Sequence, residues 1–389
     1  MQLEDTLKTL EQTELLQILK TAPNDRQDRI RASLQSVNWQ LLETALDEIH
    51  TDADTWFYHD LEPPILSTPK KIVSLSDLKN KPLACVILAG GQGTRFGFSG
   101  PKGTYSLGAK TFFQTHIEKL QSFSALIEAP IYIGIMTSES NHKETTEYFE
   151  KNSWFGSKSL ITLFCQKSLP LLSVEEQIIL RKDDSLLLGP DGNGGLFEAM
   201  RDSSLLDNWK KAAISSFAVI LVDNLKAMPF DRKLLSQHLL NDDEMTWAAI
   251  KRKSAFEKVG LFVRFNDKQF VLEYSEVDPK IAESTDSKGN LRFAYANISQ
   301  FITRLDTAYR LSGDQTSWHA ARKTVEGFNV IKLERFIFDH LLNVNKLSLV
   351  EVDRSSHFLP IKNATGESSP EEVVNTDFDS LIYCNQWRN

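Results

Sequence analysis

Apolar positions fall into two rhythms along the chain. Up to about residue 50 they recur at helical spacing, as in Leu3, Leu7 and Leu10 and again in Leu42, Ala45, Leu46 and Ile49. Pro23-Asn24-Asp25 divides that stretch into separate helices. The segment DLEPPILSTPK (60–70), with Pro63, Pro64 and Pro69, reads as a linker. Beyond it come short unbroken apolar runs: LACVILA (83–89), IYIGIM (131–136) and FAVILV (217–222). They do not alternate, so both faces are buried, as in a parallel sheet covered by helices. A helical pattern, TFFQTHIEKLQS (111–122), lies between them. Strands alternating with helices imply an α/β fold built on a Rossmann-like, doubly wound sheet. After about residue 247 the runs VGLFVRF (259–265) and QFVLEYSEV (269–277) read as antiparallel strands of an insertion beside that sheet. In the second run, alternation puts Glu273 and Ser275 on one face and Tyr274 and Glu276 on the other. Three regions result: helices and linker over 1–80, an α/β domain over 81–345, and a short C-terminal extension over 346–389 that carries Lys362.

Composition narrows the functional class. Of 389 residues, 41% are hydrophobic and 25% charged, an ordinary globular mix. The net charge of −8 argues against a nucleic-acid partner, which calls for a basic surplus. Cys85, Cys165 and Cys384 are odd in number and far apart, with no Cys-x-x-Cys, so they read as thiols of a reducing compartment. No run approaches the ~20 apolar residues a bilayer span needs, and the first residues are acidic and amphipathic. The expectation is a cytoplasmic protein with no membrane partner.

The strongest chemical signal is LAGGQGTRFG (88–97) followed by Pro101-Lys102-Gly103, directly after an apolar strand. In open α/β sheets ligands bind outside the carboxyl ends of strands. Gly90, Gly91 and Gly93 let the backbone approach a phosphate chain, Arg95 offers a planar fork and Lys102 a compact charge. Two other phosphate motifs fail on spacing. A dinucleotide fingerprint needs a third glycine where Phe96 stands and an acid after the next strand, where Thr137 and Ser138 stand. A P-loop needs four residues between its glycine and Gly-Lys-Thr; Gly103 to Gly108-Ala109-Lys110-Thr111 does not fit, and no strand precedes it. Asp223 ends the strand FAVILV, where a carboxylate suits either Mg²⁺ or a helix cap.

LAGGQGTRFG…PKG resembles the signature of the UDP-sugar pyrophosphorylases, and the eukaryotic-type UDP-N-acetylglucosamine pyrophosphorylases most closely. The likeness continues in order through FCQKSLP (164–170), PDGNGGLF (190–197), LVDN (221–224), VGLF (259–262), EYSE (273–276), ANI (296–298), IKLERFIFD (331–339) and LPIKNA (359–364). It implies a nucleotide-diphospho-sugar transferase fold and a uridylyltransferase that joins UTP to a sugar 1-phosphate and releases pyrophosphate. By that resemblance, Leu88, Ala89, Gly90, Gly91, Lys102, Gln166, Gly192, Asp223 and Lys332 contact the nucleotide, Gln166 reading uracil. Asn193, Gly260, Glu273, Tyr274, Asn297 and Lys362 contact the sugar phosphate. Asp223 holds Mg²⁺ or Mn²⁺. Arg95, Lys102 and Lys362 are the catalytic cations. Phe336 and Phe338 read as core or pocket wall, and His319 receives no catalytic role.

The chain departs from the family at Ala294-Tyr295-Ala296-Asn297-Ile298, where Tyr295 and Ala296 replace smaller residues. A bulkier wall there would narrow the space for an acetamido group. The resemblance implies N-acetylglucosamine 1-phosphate as the first substrate, and this departure makes glucose or galactose 1-phosphate the alternative. The loop reads phosphates and not the base, which leaves dTTP or ATP open. A non-catalytic nucleotide-binding regulator would lack Arg95, Lys102 or Asp223; all are present.

Overall fold

The computed structural model describes residues 3–50, 60–366, 368–373 and 387. The chain forms two compact units. The smaller gathers Met1–Trp56, Gln166–Gly195 and Thr316–Phe336. Its helices are Leu3–Thr9, Thr13–Thr21, Asn24–Leu34 and Trp39–His50, the third starting directly after Pro23. Leu7, Ile30, Leu34, Leu42 and Ala45 are fully buried, on the faces that the helical spacing marked. They pack with Leu169, Leu172, Ile178, Leu186, Trp318, Ile331 and Leu333 from the later segments. An amphipathic helix needs a partner for its apolar stripe, and here that partner is 120 or more residues away in sequence. Polar ties add to it: Asp184 accepts from Arg26 (2.8 Å) and Arg29 (2.9 Å), and Gln12 donates to the Glu176 carbonyl (2.9 Å). The three sequence ranges therefore do not coincide with the units.

The larger unit holds a nine-stranded sheet. Its strands are β1 (Leu83–Leu88), β2 (Ile131–Thr137), β3 (Ile161–Cys165), β4 (Ser216–Leu221), β5 (Met245–Lys251), β6 (Leu261–Phe265), β7 (Lys268–Leu272), β8 (Tyr295–Arg304) and β9 (Leu347–Glu351). The parallel series runs β3-β2-β1-β4. β8 then enters antiparallel to both β4 and β5, and β9 lies parallel to β5. β1 is buried throughout and sits between two parallel neighbours, as an unbroken apolar run should. The helix Phe112–Ile127 presses Phe112, Phe113, Ile117, Leu120 and Phe123 into the same core; the Thr111 hydroxyl caps it by accepting from Gln114 N–H.

Two expectations change. The antiparallel strands are not an insertion beside the sheet but part of it: the β6–β7 hairpin joins β8 through Leu261–Ala296. EYSE is not strand. β7 stops at Leu272, whose partner Leu261 is the first residue of β6, so no ladder remains to extend it. Glu276 N–H instead closes a turn on the Glu273 carbonyl at 2.9 Å, and strand alternation no longer applies to Glu273 and Tyr274.

Because β8 is reversed, its amino end lies at the same rim as the carboxyl ends of β1, β4 and β5. That rim carries the chemistry below. Among the described residues no helix is long and apolar enough to cross a membrane. Cys85 is buried and Cys165 exposed; Cys384 lies outside the described residues.

Candidate active site

β1 ends at Leu88 and the chain turns at once into the glycine loop. Gly93 N–H bonds the Gly100 carbonyl (2.9 Å) and Lys102 N–H the Gly91 carbonyl (3.1 Å), closing the loop on itself. Its first carbonyls are held from outside. Ser138 Oγ donates to Gly90 (2.7 Å), and Asn141 Nδ2 donates to Ala89 (2.9 Å) and Gly91 (3.3 Å). Among the described residues, the N–H groups of Gly90 and Gly91 have no hydrogen-bond partner. Carbonyls engaged and amides open is the state an anion cradle requires. Gly103 is fixed by packing: a Cβ there would come within 2.3 Å of the Phe113 ring.

Asp223 follows β4 in a turn, with no helix behind it to cap. Lys102 Nζ lies 2.9 Å from its Oδ2, and its Oδ1 is buried with no hydrogen-bond partner. Burial by itself would raise this carboxyl's pKa. The ammonium groups of Lys102 and Lys362, with the Lys102 hydrogen bond, outweigh that and hold it below the ordinary aspartate value. Lys362, 139 residues later, is delivered by stitching. Asn224 donates to the His357 carbonyl and accepts from Leu359 N–H, both at 2.8 Å, and Ile361 N–H bonds the Asp223 carbonyl at 3.0 Å. From the other side the helix Phe112–Ile127 reaches the same turn. His116 Nε2 meets the Val222 carbonyl at 3.0 Å, and Lys119 donates to the carbonyls of Leu225 and Ala227. Both are almost fully buried, and burial depresses the His116 imidazole to about 3, so it is neutral.

Arg95, Lys102, Asp223, Tyr274 and Lys362 line one cleft of about 820 Å³. A smaller pocket of about 100 Å³ adjoins it and shares Asp223, Tyr274 and Lys362, adding Gly260, Glu273, Asn297 and Phe338. Gly260 cannot carry a side chain: a Cβ would sit 2.7 Å from Val271 Cγ1. Asn297 N–H bonds the Gly260 carbonyl (2.9 Å), and its Oδ1 accepts from Ser299 N–H (2.7 Å), which sets the amide's orientation. Tyr295 does not narrow this pocket. Its hydroxyl donates to Glu351 at 2.8 Å and it lines neither cavity.

The other residues singled out, Gln166, Gly192, Asn193 and Lys332, belong to the smaller unit. Gln166 is buried just after β3. Gly192 adopts a left-handed φ of +89°, and a Cβ would meet the Arg335 carbonyl oxygen at 2.2 Å, so glycine is obligatory. Lys332 Nζ pairs with Glu334 (2.6 Å), which also receives Lys323 (2.6 Å). Burial lowers the Lys332 pKa despite that carboxylate.

Sequence reasoning missed the supports. Ser138 stands where an acid was sought, and together with Asn141 it serves the loop instead. Asp191 carries no role in the sequence reading, yet its carboxylate is fully buried against the Arg335 guanidinium. His116 and Lys119, three apart in an apolar helix face, were the legible signal of buried donors.

Comparison with known proteins gives the chain a family. The family described as UTP–glucose-1-phosphate uridylyltransferase matches residues 31–367. UDP-N-acetylglucosamine pyrophosphorylase of Saccharomyces cerevisiae is 33% identical over 318 residues, 74% of this chain and 66% of that protein. UDP-N-acetylglucosamine diphosphorylase 2 of Arabidopsis thaliana is 32% identical over 318 residues, 75% of this chain and 63% of that protein. The chain thus spans about two thirds of the length of these curated relatives. The crystal structure of the uridine diphosphate N-acetylglucosamine pyrophosphorylase from Trypanosoma brucei, in complex with inhibitor, superposes with a TM-score of 0.77 at 26% identity, covering 95% of this chain and 82% of that one. With glycine loop, strand-end aspartate and converging lysines on one sheet rim, and a family match over most of its length, the chain belongs to the UTP–glucose-1-phosphate uridylyltransferase family.

Proposed function

We propose that the protein transfers the uridylyl group of UTP to a hexose 1-phosphate, N-acetylglucosamine 1-phosphate first among them. The observation that carries this is the cleft in which Lys102 and Lys362 flank a buried, ionised Asp223 beside Arg95. It opens next to a pocket bearing Glu273 and Asn297, groups suited to sugar hydroxyls. A phosphate oxygen of the sugar 1-phosphate attacks the α-phosphorus of UTP. The new P–O bond forms as the bond to the bridging oxygen breaks, and pyrophosphate leaves with that electron pair. The nucleophile is already anionic, so no strong base is needed, and catalysis is positioning and charge stabilisation. Arg95 holds the departing phosphates; Lys102 and Lys362 brace the α-phosphate and the incoming phosphate. The open, buried Oδ1 of an ionised Asp223 fits a hard divalent cation. Mg²⁺ or Mn²⁺ would be held there and would neutralise charge on phosphate oxygens.

The names of the relatives favour the acetylated sugar, and a Tyr295 turned to Glu351 leaves the pocket unnarrowed. The test is pyrophosphate release from UTP and Mg²⁺ with N-acetylglucosamine, glucose and galactose 1-phosphates. Turnover is expected to be fastest with the first. Release with none of the three overturns the reaction, and release only with non-acetylated sugars overturns the substrate. In the same assay Lys102→Ala is expected to slow turnover about 10²–10³-fold; near-normal turnover removes Lys102 from the site.

A further inference from the structure

The segment joining β5 to β6, residues 252–260, is built around one anchored side chain. The Glu257 carboxylate is 7% exposed, pairs with the Arg354 guanidinium and accepts from Lys253 N–H at 2.7 Å. Arg354 is itself fixed, donating to the Lys251 carbonyl (3.0 Å) and lying 5.1 Å over the Phe358 ring. The residues on either side of this anchor behave oppositely. Phe256 is 79% exposed, the highest value among the exposed large hydrophobic residues, and it lines the phosphate cleft. Lys258 lines both that cleft and the small pocket of Glu273 and Asn297. Among the described residues its ammonium has no hydrogen bond and no ion pair.

A cation common to both cavities stands where a molecule with a sugar end and a phosphate end has its charge. Lys362 is the other lysine common to both, but it faces Asp223. A phosphate monoester brings nearly two negative charges, more than one such lysine neutralises. An exposed phenyl ring beside that charge matches the carbon face of a sugar ring.

We propose that Lys258 binds the phosphate of the sugar 1-phosphate and Phe256 covers the sugar's carbon face, with Glu257 and Arg354 holding both in place. This rests on the uridylyltransferase reading for the identity of the ligand. Both residues are exposed, so their replacement leaves the fold intact. The experiment measures binding of N-acetylglucosamine 1-phosphate to the full chain with Mg²⁺ and a non-hydrolysable UTP analogue, and the KM for the same sugar phosphate in pyrophosphate release. Losing one charge-assisted contact, Lys258→Met is expected to weaken binding and raise that KM about tenfold, with the KM for UTP changed less than about twofold. Lys258→Arg restores most of the loss. Phe256→Ala weakens the sugar phosphate roughly three- to fivefold and leaves inorganic pyrophosphate binding unchanged. Unchanged sugar-phosphate binding in Lys258→Met, or Lys258→Arg as weak as Lys258→Met, overturns the proposal while wild-type turnover keeps the reaction. Wild-type binding that depends on Lys258 without any pyrophosphate release overturns the reaction and keeps the contact.

Discussion

Asp223→Asn is expected to lower uridylyl transfer by about 10³-fold or more while the chain stays folded. The substitution keeps size and shape but removes the charge that faces Lys102 and Lys362, and with it the hard anionic oxygen left open at Oδ1. Two lysines then share a cleft with no carboxylate between them, and a bound divalent ion loses the one anionic ligand proposed for it. The wild-type carboxyl has its pKa lowered in the folded state, so the stability it contributes is present above the unfolded value and lost as pH falls through the lowered one. Activity lost between about pH 5 and 7 therefore does not arise from this group. Steady-state rates, Mg²⁺ titrations of UTP binding and circular dichroism on wild type and variant check this. A variant that keeps a tenth of the rate, or keeps the Mg²⁺ dependence of UTP binding, removes Asp223 from its role.

Asp191→Ala is expected to destabilise the chain by about 3–5 kcal/mol, because it leaves a buried guanidinium without its carboxylate. Arg335 and Asp191 have side-chain exposures of 8% and 0%, and their backbones are joined as well, Arg335 N–H donating to the Asp191 carbonyl at 2.8 Å. The guanidinium stacks 4.8 Å from the Trp318 ring, which deepens its burial. The pair backs the turn Asp191–Gly195, where Gly192 and Gly194 exist because the Arg335 backbone and Cβ fill the space their side chains would take. Urea unfolding followed by circular dichroism measures the cost; a loss below about 1 kcal/mol shows the pair to be a replaceable contact. Asp191→Ala with Arg335→Met should recover part of the loss, since an apolar pair avoids the uncompensated charge.

The parallel strands were legible because burial on both faces leaves an unbroken apolar run, and Leu83–Leu88, Ile131–Thr137 and Ser216–Leu221 appear within a residue or two of their predicted places. The glycine loop was legible because backbone approach to an anion excludes side chains. The end of β7 was not, because EYSE has strand composition and only the exhausted partner strand stops it. The place of β9 was not legible either: its residues signal a strand, but its pairing with β5 is a long-range choice. Lys362 reached Asp223 through Asn224, whose amide bonds two backbone groups more than 130 residues away, a tie that no local pattern records. The separation of Gln166, Gly192, Asn193 and Lys332 into the unit that also holds the N-terminal helices was likewise invisible, because the apolar faces that define it come from three distant segments.

β8 is one strand with two jobs, and an irregularity separates them. Its later residues Phe301 and Ile302 interlock with Val219 and Ala218 on one side and Trp247 and Thr246 on the other, while the pairing shifts between Asn297 and Phe301 and Ser299 turns to φ +51°. A slip of one position in a regular strand would swap every side chain between interior and exterior. Here the bulge absorbs it. A change of backbone at Ser299 would re-aim the Asn297 amide and leave the aromatic stack of Phe301 on Trp247 undisturbed, so ligand choice in this scaffold can drift at one position inside a strand while Ile298 and Gln300, both buried, keep their places.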